Sequence, residues 1–180
     1  DAVTHNQRLA PSEEVDWDDE TRQMLDGLGR LNIFTTLAHH PKLMKRWMVF
    51  GSHVLNKASI PERERELVIL RTGYRCACVY EFGQHTVIGR RCGITDDEIA
   101  RIASPAIEGW SEDDSVLLQA ADELVADKVL SDATWSALSS LWTTEEVLDF
   151  IFAIGQYTLV CMALNSLRVV PDEGTPGWPA

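Results

Sequence analysis

Basic charge, cysteine and strand-like alternation are all scarce in this sequence, and each shortage narrows what the chain can be. Its 16 Lys and Arg stand against 28 Asp and Glu, a net charge of −12. A surface of that sign repels nucleic acid and anionic membrane, so neither is expected as a partner. The most basic stretch, Lys42 to Arg46, spreads its charges among apolar residues and reads as one face of a helix. Four cysteines in 180 residues are too few for a disulfide scaffold and suit a reducing cytoplasm. Without paired Cys-x-x-Cys units or two histidines at ligand spacing, no metal is expected. The N-terminus lacks the charged, apolar and small-residue order of a signal peptide, and a cytoplasmic location is expected. The most apolar run, Val147 to Leu164, contains Asp149, Gly155 and Gln156. It reads as a buried helix and not as a membrane span, because Asp149 would sit in hydrocarbon.

No stretch sustains the period of two that a half-buried strand requires, and the whole chain reads as helix. Ser59-x-x-Glu62, Thr95-x-x-Glu98, Ser111-x-x-Asp114, Ser131 before Trp135, and Thr143-x-x-Glu146 supply starts, each offering a hydroxyl to an orphan N–H of a first turn. They predict helices over roughly 18–28, 31–39, 42–56, 60–74, 77–92, 96–103, 112–127, 132–141 and 144–167. Pro41, Pro61 and Pro105 mark starts or breaks, and Gly93 reads as a helix-ending glycine. The polar, aperiodic residues 1–16 and the Pro- and Gly-rich residues 171–180 are expected as tails around a single domain of residues 17–170. The architecture implied is a compact all-α bundle. Its last helix is apolar around most of its circumference, and Trp47, Trp135 and Trp142 lie on neighbouring helices. That favours a homo-oligomer.

Chemistry concentrates between Glu66 and His85. From Cys78, steps of three and four residues lead to Glu81 and His85, and seven more to Cys92, all on one helical stripe with Ile88 and Gly89. Ionisable groups on a buried stripe are costly unless paired or used. Glu66 shares a face with Ile69 and Leu70 on the preceding helix. It reads either as a structural ion pair with nearby Arg63 or Arg71, or as a carboxylate that orients His85. Cys78 reads as a nucleophile activated by His85 or as a small core filler. Tyr80 and Glu81 read as an acid and a base, or as a packing aromatic and a solvated charge. His39 and His40, before Pro41, read as a cap or as substrate ligands, and Arg71 and Tyr157 join them as candidate substrate-binding residues.

The run Arg63-Glu64-Arg65-Glu66-Leu67-Val68-Ile69-Leu70-Arg71, followed by Tyr80-Glu81-Phe82-Gly83-Gln84-His85 and then Gly93-Ile94-Thr95-Asp96-Asp97-Glu98-Ile99, resembles the carboxymuconolactone decarboxylase family. That superfamily includes the alkylhydroperoxidase-D-like proteins. The similarity extends from about Leu31 to Val170 and takes in Leu37-Ala38-His39-His40-Pro41 and Gly155-Gln156-Tyr157. The resemblance implies an alkylhydroperoxidase-D-like helical fold assembling as a trimer, hexamer or dimer, with sites near subunit contacts. It implies that Glu66, Cys78 and His85 match the glutamate, first cysteine and histidine of the peroxidase branch. The second cysteine of that branch is replaced by Glu81. A thiol peroxidase needs a resolving cysteine. Cys76 is expected on another side of the Cys78 helix, and Cys92 lies roughly 21 Å along its axis.

The decarboxylase branch works without a cysteine pair or a cofactor, and none is expected here. The expected function is acid/base chemistry on a small carbonyl or lactone carboxylic acid, as decarboxylation, C–C cleavage or proton transfer. His85 would be the acid/base, Glu66 its partner, and Tyr80 or Glu81 would complete the site. A thiol-dependent peroxidase using Cys78 with an external resolving thiol, and a non-catalytic small-molecule-binding oligomer, are the alternatives.

Overall fold

The computed structural model describes residues 7–179. Among them, a 3-10 turn at Glu14–Asp16 precedes α1 (Asp19–Gly27), α2 (Asn32–Leu37), α3 (Pro41–Asn56), α4 (Glu62–Arg75), α5 (Val79–Arg91), α6 (Asp96–Ile102), α7 (Glu112–Ala126), α8 (Asp132–Leu141) and α9 (Thr144–Leu167). No strand occurs among the described residues. Four of the five expected caps form. Thr95 and Thr143 make complete capping boxes with Glu98 and Glu146. Ser111 and Ser131 accept from the backbone N–H groups of Asp114 and Thr134. The Asp114 carboxylate does not reach back to close its box, because Arg63 holds both its oxygens at 2.9 and 3.0 Å.

Ser59 is not a cap. Pro61 precedes α4 without a side-chain bond, and the Ser59 N–H donates to Asp149 of α9. A second correction concerns Cys76 and Cys78, which do not share a helix. Cys76 ends α4, Cys78 begins α5, and Ala77 between them takes the left-handed conformation at φ 49°. That turn reverses the chain tightly enough for α4 and α5 to pack against each other. At Gly89 of α5, an added Cβ would meet Leu70 Cδ1 at 3.2 Å and Ile94 Cδ1 at 3.3 Å. Close approach there brings the Glu66 turn of α4 against the middle of α5.

The core lies between α4, α7 and α9, filled by Leu67, Leu70, Leu117, Leu118, Phe150 and Ile154 with their neighbours. α9 is long and apolar enough to cross a membrane by length and composition. Its Val147, Phe150, Ala153, Ile154 and Val160 are nonetheless buried in the bundle, which is what a core helix does with such residues. Leu148, Phe152, Leu159 and Met162 remain exposed on its other side.

The expected N-terminal tail falls partly on residues 1–6, which lie outside the described residues; the rest lies along the bundle, with Arg8 N–H bonded to Leu167 O and Ser12 to Thr35 O. The segment after α9 forms no helix, as its Pro and Gly content requires, yet it straps across α5. Asp172 accepts from Tyr80, Gln84 and the Asn32 N–H, and Trp178 packs on Phe82 and Tyr74 with ring centroids 4.9 and 6.1 Å apart.

Only glycine admits that strap: a Cβ at Gly83 would sit 2.3 Å from the Pro176 carbonyl oxygen. Gly83→Ala is therefore expected to displace Trp178 and to cost about 1–3 kcal/mol, the usual range for overpacking. Urea unfolding followed by tryptophan fluorescence checks this; unchanged stability and emission would show that the strap does not bear on α5.

Candidate active site

Four charged side chains of alternating sign run through the contact between α4 and α5. The Arg65 Nε–H donates to Glu66 Oε1 at 2.9 Å. Glu66 Oε2 lies 2.5 Å from His85 Nδ1. His85 Nε2 lies 3.0 Å from Glu81 Oε1. None is more than 7% exposed. Charges taken from water at this depth survive only when each is neutralised by a neighbour. With His85 protonated the row sums to zero.

Burial alone would strip the proton from His85. The charge and hydrogen bond of Glu66, then those of Glu81, overcome it and push the imidazole up to about 10. Burial would likewise raise Glu66, but the charge and hydrogen bond of His85, with help from Arg65, hold it below the usual carboxylate range. Glu66 is thus ion-paired, and its second oxygen is bonded to His85 Nδ1. Its cationic partners are Arg65 and His85. Arg63 is drawn instead to Asp114 and Glu98.

Glu81 and His85 open on a cavity of about 300 Å³ between α3, α5 and α9, whose wall also includes Trp47, Gln84, Gln156 and Tyr157. Glu66 is behind His85 and does not line it. The Tyr157 ring meets the His85 ring edge-on, centroids 4.8 Å apart. Burial, followed by the Glu81 and Glu66 charges, drives the Tyr157 phenol well above its ordinary pKa. The Trp47 Nε1–H is buried without a partner.

The remaining candidates are placed otherwise. Tyr80 lines the cavity, but its hydroxyl donates to Asp172 and accepts the Ile33 N–H at 3.1 Å. The proton expected to hold an oxyanion is thus committed to the C-terminal strap, and burial, then Asp172, raises its pKa. Cys78 is 0% exposed and absent from the cavity wall; it packs with Cys161, Val160 and Leu164. Arg71 is sealed in the core, bonded twice to Asp122 at 2.7 Å and to the Ile102 and Ser104 carbonyls. Its expected role in substrate binding has no geometric basis. His40 caps α3 and His39 bonds the Ala10 carbonyl; both are exposed and line a separate surface groove with Lys45 and Asp18. Trp47, Gln84 and Gln156 were not anticipated at the site. Gln84 follows Glu81 by three residues, a helical-face signal that was available. Among the described residues, no group of three His, Cys, Asp or Glu is placed to hold a metal ion.

Residues 41–122 match the model of the carboxymuconolactone decarboxylase family. Comparison with curated proteins gives no match. Among solved structures, the chain is similar to an alkylhydroperoxidase AhpD core, an uncharacterised peroxidase-related protein from Ralstonia eutropha JMP134, at 20% identity with a TM-score of 0.81 over 93% of each chain. A peroxidase-related protein from Silicibacter sp. TM1040 aligns with a TM-score of 0.81 at 13% identity over 97% of each chain. The debrominase Bmp8, solved in complex with 2,3,4-tribromopyrrole, aligns with a TM-score of 0.76 at 14% identity over 93% of each chain. The chain thus carries the carboxymuconolactone decarboxylase pattern over residues 41–122 and has, over nearly its whole length, the fold of these AhpD-like structures.

The charge row fixes a pH dependence. His85 is raised from 6.5 to about 10 on folding, so its stabilisation is complete below about pH 6.5 and lost as pH rises through about 10. Glu66 is lowered, so its share is present above its unfolded pKa and lost as pH falls through the folded one. Urea unfolding should show stability declining across the alkaline window, and His85→Gln should flatten that decline. A wild-type curve as flat as the variant's would contradict a protonated His85.

Proposed function

We propose that this chain is an acid/base enzyme acting on a small carbonyl or lactone carboxylic acid, without a cofactor. The observation that carries the reading is a histidine bonded to carboxylates through both ring nitrogens, one carboxylate behind it and one at the wall of an otherwise largely apolar cavity. In a decarboxylation, the C–C bond to the carboxylate breaks and its electrons enter a neighbouring carbonyl. The resulting enolate needs a donor for its oxygen and a proton for its carbon. The unpartnered Trp47 N–H suits the first task and the Glu81–His85 pair the second. While Glu81 holds Nε2, His85 is a reluctant acid. Substrate entering between them removes that hydrogen bond and brings the imidazolium nearer the range where it gives up its proton. Glu66, still on Nδ1, keeps the ring oriented throughout. Residues 41–122 match a decarboxylase family and a debrominase shares the fold, which supports catalysis.

The thiol-dependent alternative draws no support from the cavity, because Cys78 is not part of its wall. His85→Ala and Glu81→Gln are each expected to reduce turnover of the best substrate in a panel of lactone and keto carboxylic acids by ~10²–10⁴-fold. Cys78→Ser should stay within about tenfold, ~1.4 kcal/mol of barrier. Carbon dioxide release and proton uptake from labelled water are the readouts. Peroxide reduction that requires Cys78 and ignores His85 would sink the reading.

We also propose that copies of the chain cover the exposed face of α9. Phe152 and Phe50 meet edge-on there, 6.1 Å between centroids, beside exposed Leu148, Leu159 and Met162. A patch of that kind is rare on a monomer. Light scattering should give a multiple of 20.2 kDa, and Phe152→Glu should lower it; a 20.2 kDa particle at micromolar concentration would refute the assembly.

A further inference from the structure

The cavity beside His85 has unspent hydrogen-bonding capacity on its α9 side. Most other polar groups in its wall are already engaged: Tyr80 and Gln84 donate to Asp172, and Asn56 donates to Ser52. Gln156 and Tyr157, neighbours on α9, are different. Each is 5% exposed, and among the described residues neither the Gln156 carboxamide nor the Tyr157 hydroxyl has a hydrogen-bond partner. A buried amide or hydroxyl left in that state is costly unless something else completes it. Neither belongs to the polar atoms shut away from open space, so the group that completes them comes from the cavity they line.

The place of the Gln156 amide is set against α3. A Cβ built on Gly51 would lie 3.5 Å from Gln156 Nε2 and 3.9 Å from Trp47 Cε2. Gly51 belongs to the cavity wall and not to the outer depression that Gln156 and Trp47 share with Phe50 and Phe152. The amide nitrogen is therefore on the cavity side of α9. Both spacings are ordinary van der Waals contacts, and Gly51 has no positive φ. Packing thus admits alanine at this position, and the interior of a helix prefers it. What the glycine leaves is room beside the amide.

Charge limits what fits. Among the described residues no Lys or Arg lines this cavity, and the two charged groups of its wall, His85 and Glu81, are already paired with each other. One entering carboxylate can be satisfied by neutral donors, as carboxylates that accept several hydrogen bonds are. A second would meet apolar wall or Glu81 and keep its desolvation cost. Neutral donors also suit the loss of carbon dioxide. Negative charge leaves the carboxylate as the C–C bond breaks, and a cation there would hold the starting state more tightly than the transition state. We propose that the Gln156 side-chain N–H and the Tyr157 hydroxyl bind the substrate's carboxylate, and that the substrate is a monocarboxylate with an otherwise apolar body. The carboxylic acid class rests on the acid/base reading, but the site is tested by binding, so ligand capture without turnover would sink that reading alone.

The test is calorimetric titration of the full chain with 1,3-dinitrobenzene, 3-nitrobenzoate and isophthalate, probes of nearly equal shape that carry none, one and two carboxylates. Wild type should bind 3-nitrobenzoate the tightest of the three, with isophthalate at least about tenfold weaker. Gln156→Leu should weaken 3-nitrobenzoate by about 10–100-fold, the loss of a hydrogen bond to a charged group, while dinitrobenzene affinity and melting temperature hold. Gly51→Ala should also weaken 3-nitrobenzoate, by crowding the amide, with the melting temperature unchanged or raised. The ranking of the three probes needs no variant, so a folding defect in Gln156→Leu leaves the decision intact. No binding of 3-nitrobenzoate at millimolar concentration, isophthalate binding as tightly, or Gln156→Leu weakening 3-nitrobenzoate and dinitrobenzene alike would each overturn the proposal.

Discussion

The structure turns on the need to neutralise charge where α4 meets α5. Arg65, Glu66, His85 and Glu81 are nearly removed from water, and each is tolerable only because its neighbour carries the opposite sign. Removing one partner of such a pair typically costs about 3–5 kcal/mol, because the survivor keeps its desolvation penalty. The close helix contact at Gly89, the tight turn at Ala77 and the strap locked by Asp172 and Trp178 all hold α5 in the one position where the row is complete. A row of charge this deep adds little net stability over an apolar core. Its retention fits a group kept for chemistry, with the cavity placed at its Glu81 end.

The parts of the fold that were legible in the sequence are those set by neighbours along the chain. Thr95 with Glu98 and Thr143 with Glu146 are local devices, three residues apart, and both form. The helical stripe of Glu81 and His85 is equally local. Glu66 was legible as a face partner of α5 because two adjacent helices joined by a short turn must pack side by side. Ser59 misled, because its N–H is taken by Asp149, 90 residues away, and no local rule shows that carboxylate arriving.

The same limit explains the misassigned residues. Tyr80 stands at the right place on α5, yet its hydroxyl goes to Asp172, 92 residues along the chain, on a segment that reads as a loose tail. Arg71 has the chemistry of a carboxylate ligand, and Asp122 of α7 supplies that carboxylate from inside the protein. Long-range pairing of this kind depends on the register of packed helices, which a pattern of hydrophobic residues does not specify.

The central claim is that His85 is a buried cation held between two carboxylates. Nitrogen-15 NMR of the imidazole rings, with His85 assigned by comparison with His85→Gln, measures it directly. The account predicts that both His85 ring nitrogens stay protonated from acid pH to well above neutrality, with titration near about pH 10. A ring that loses one proton near 6.5, like an ordinary exposed histidine, would contradict it.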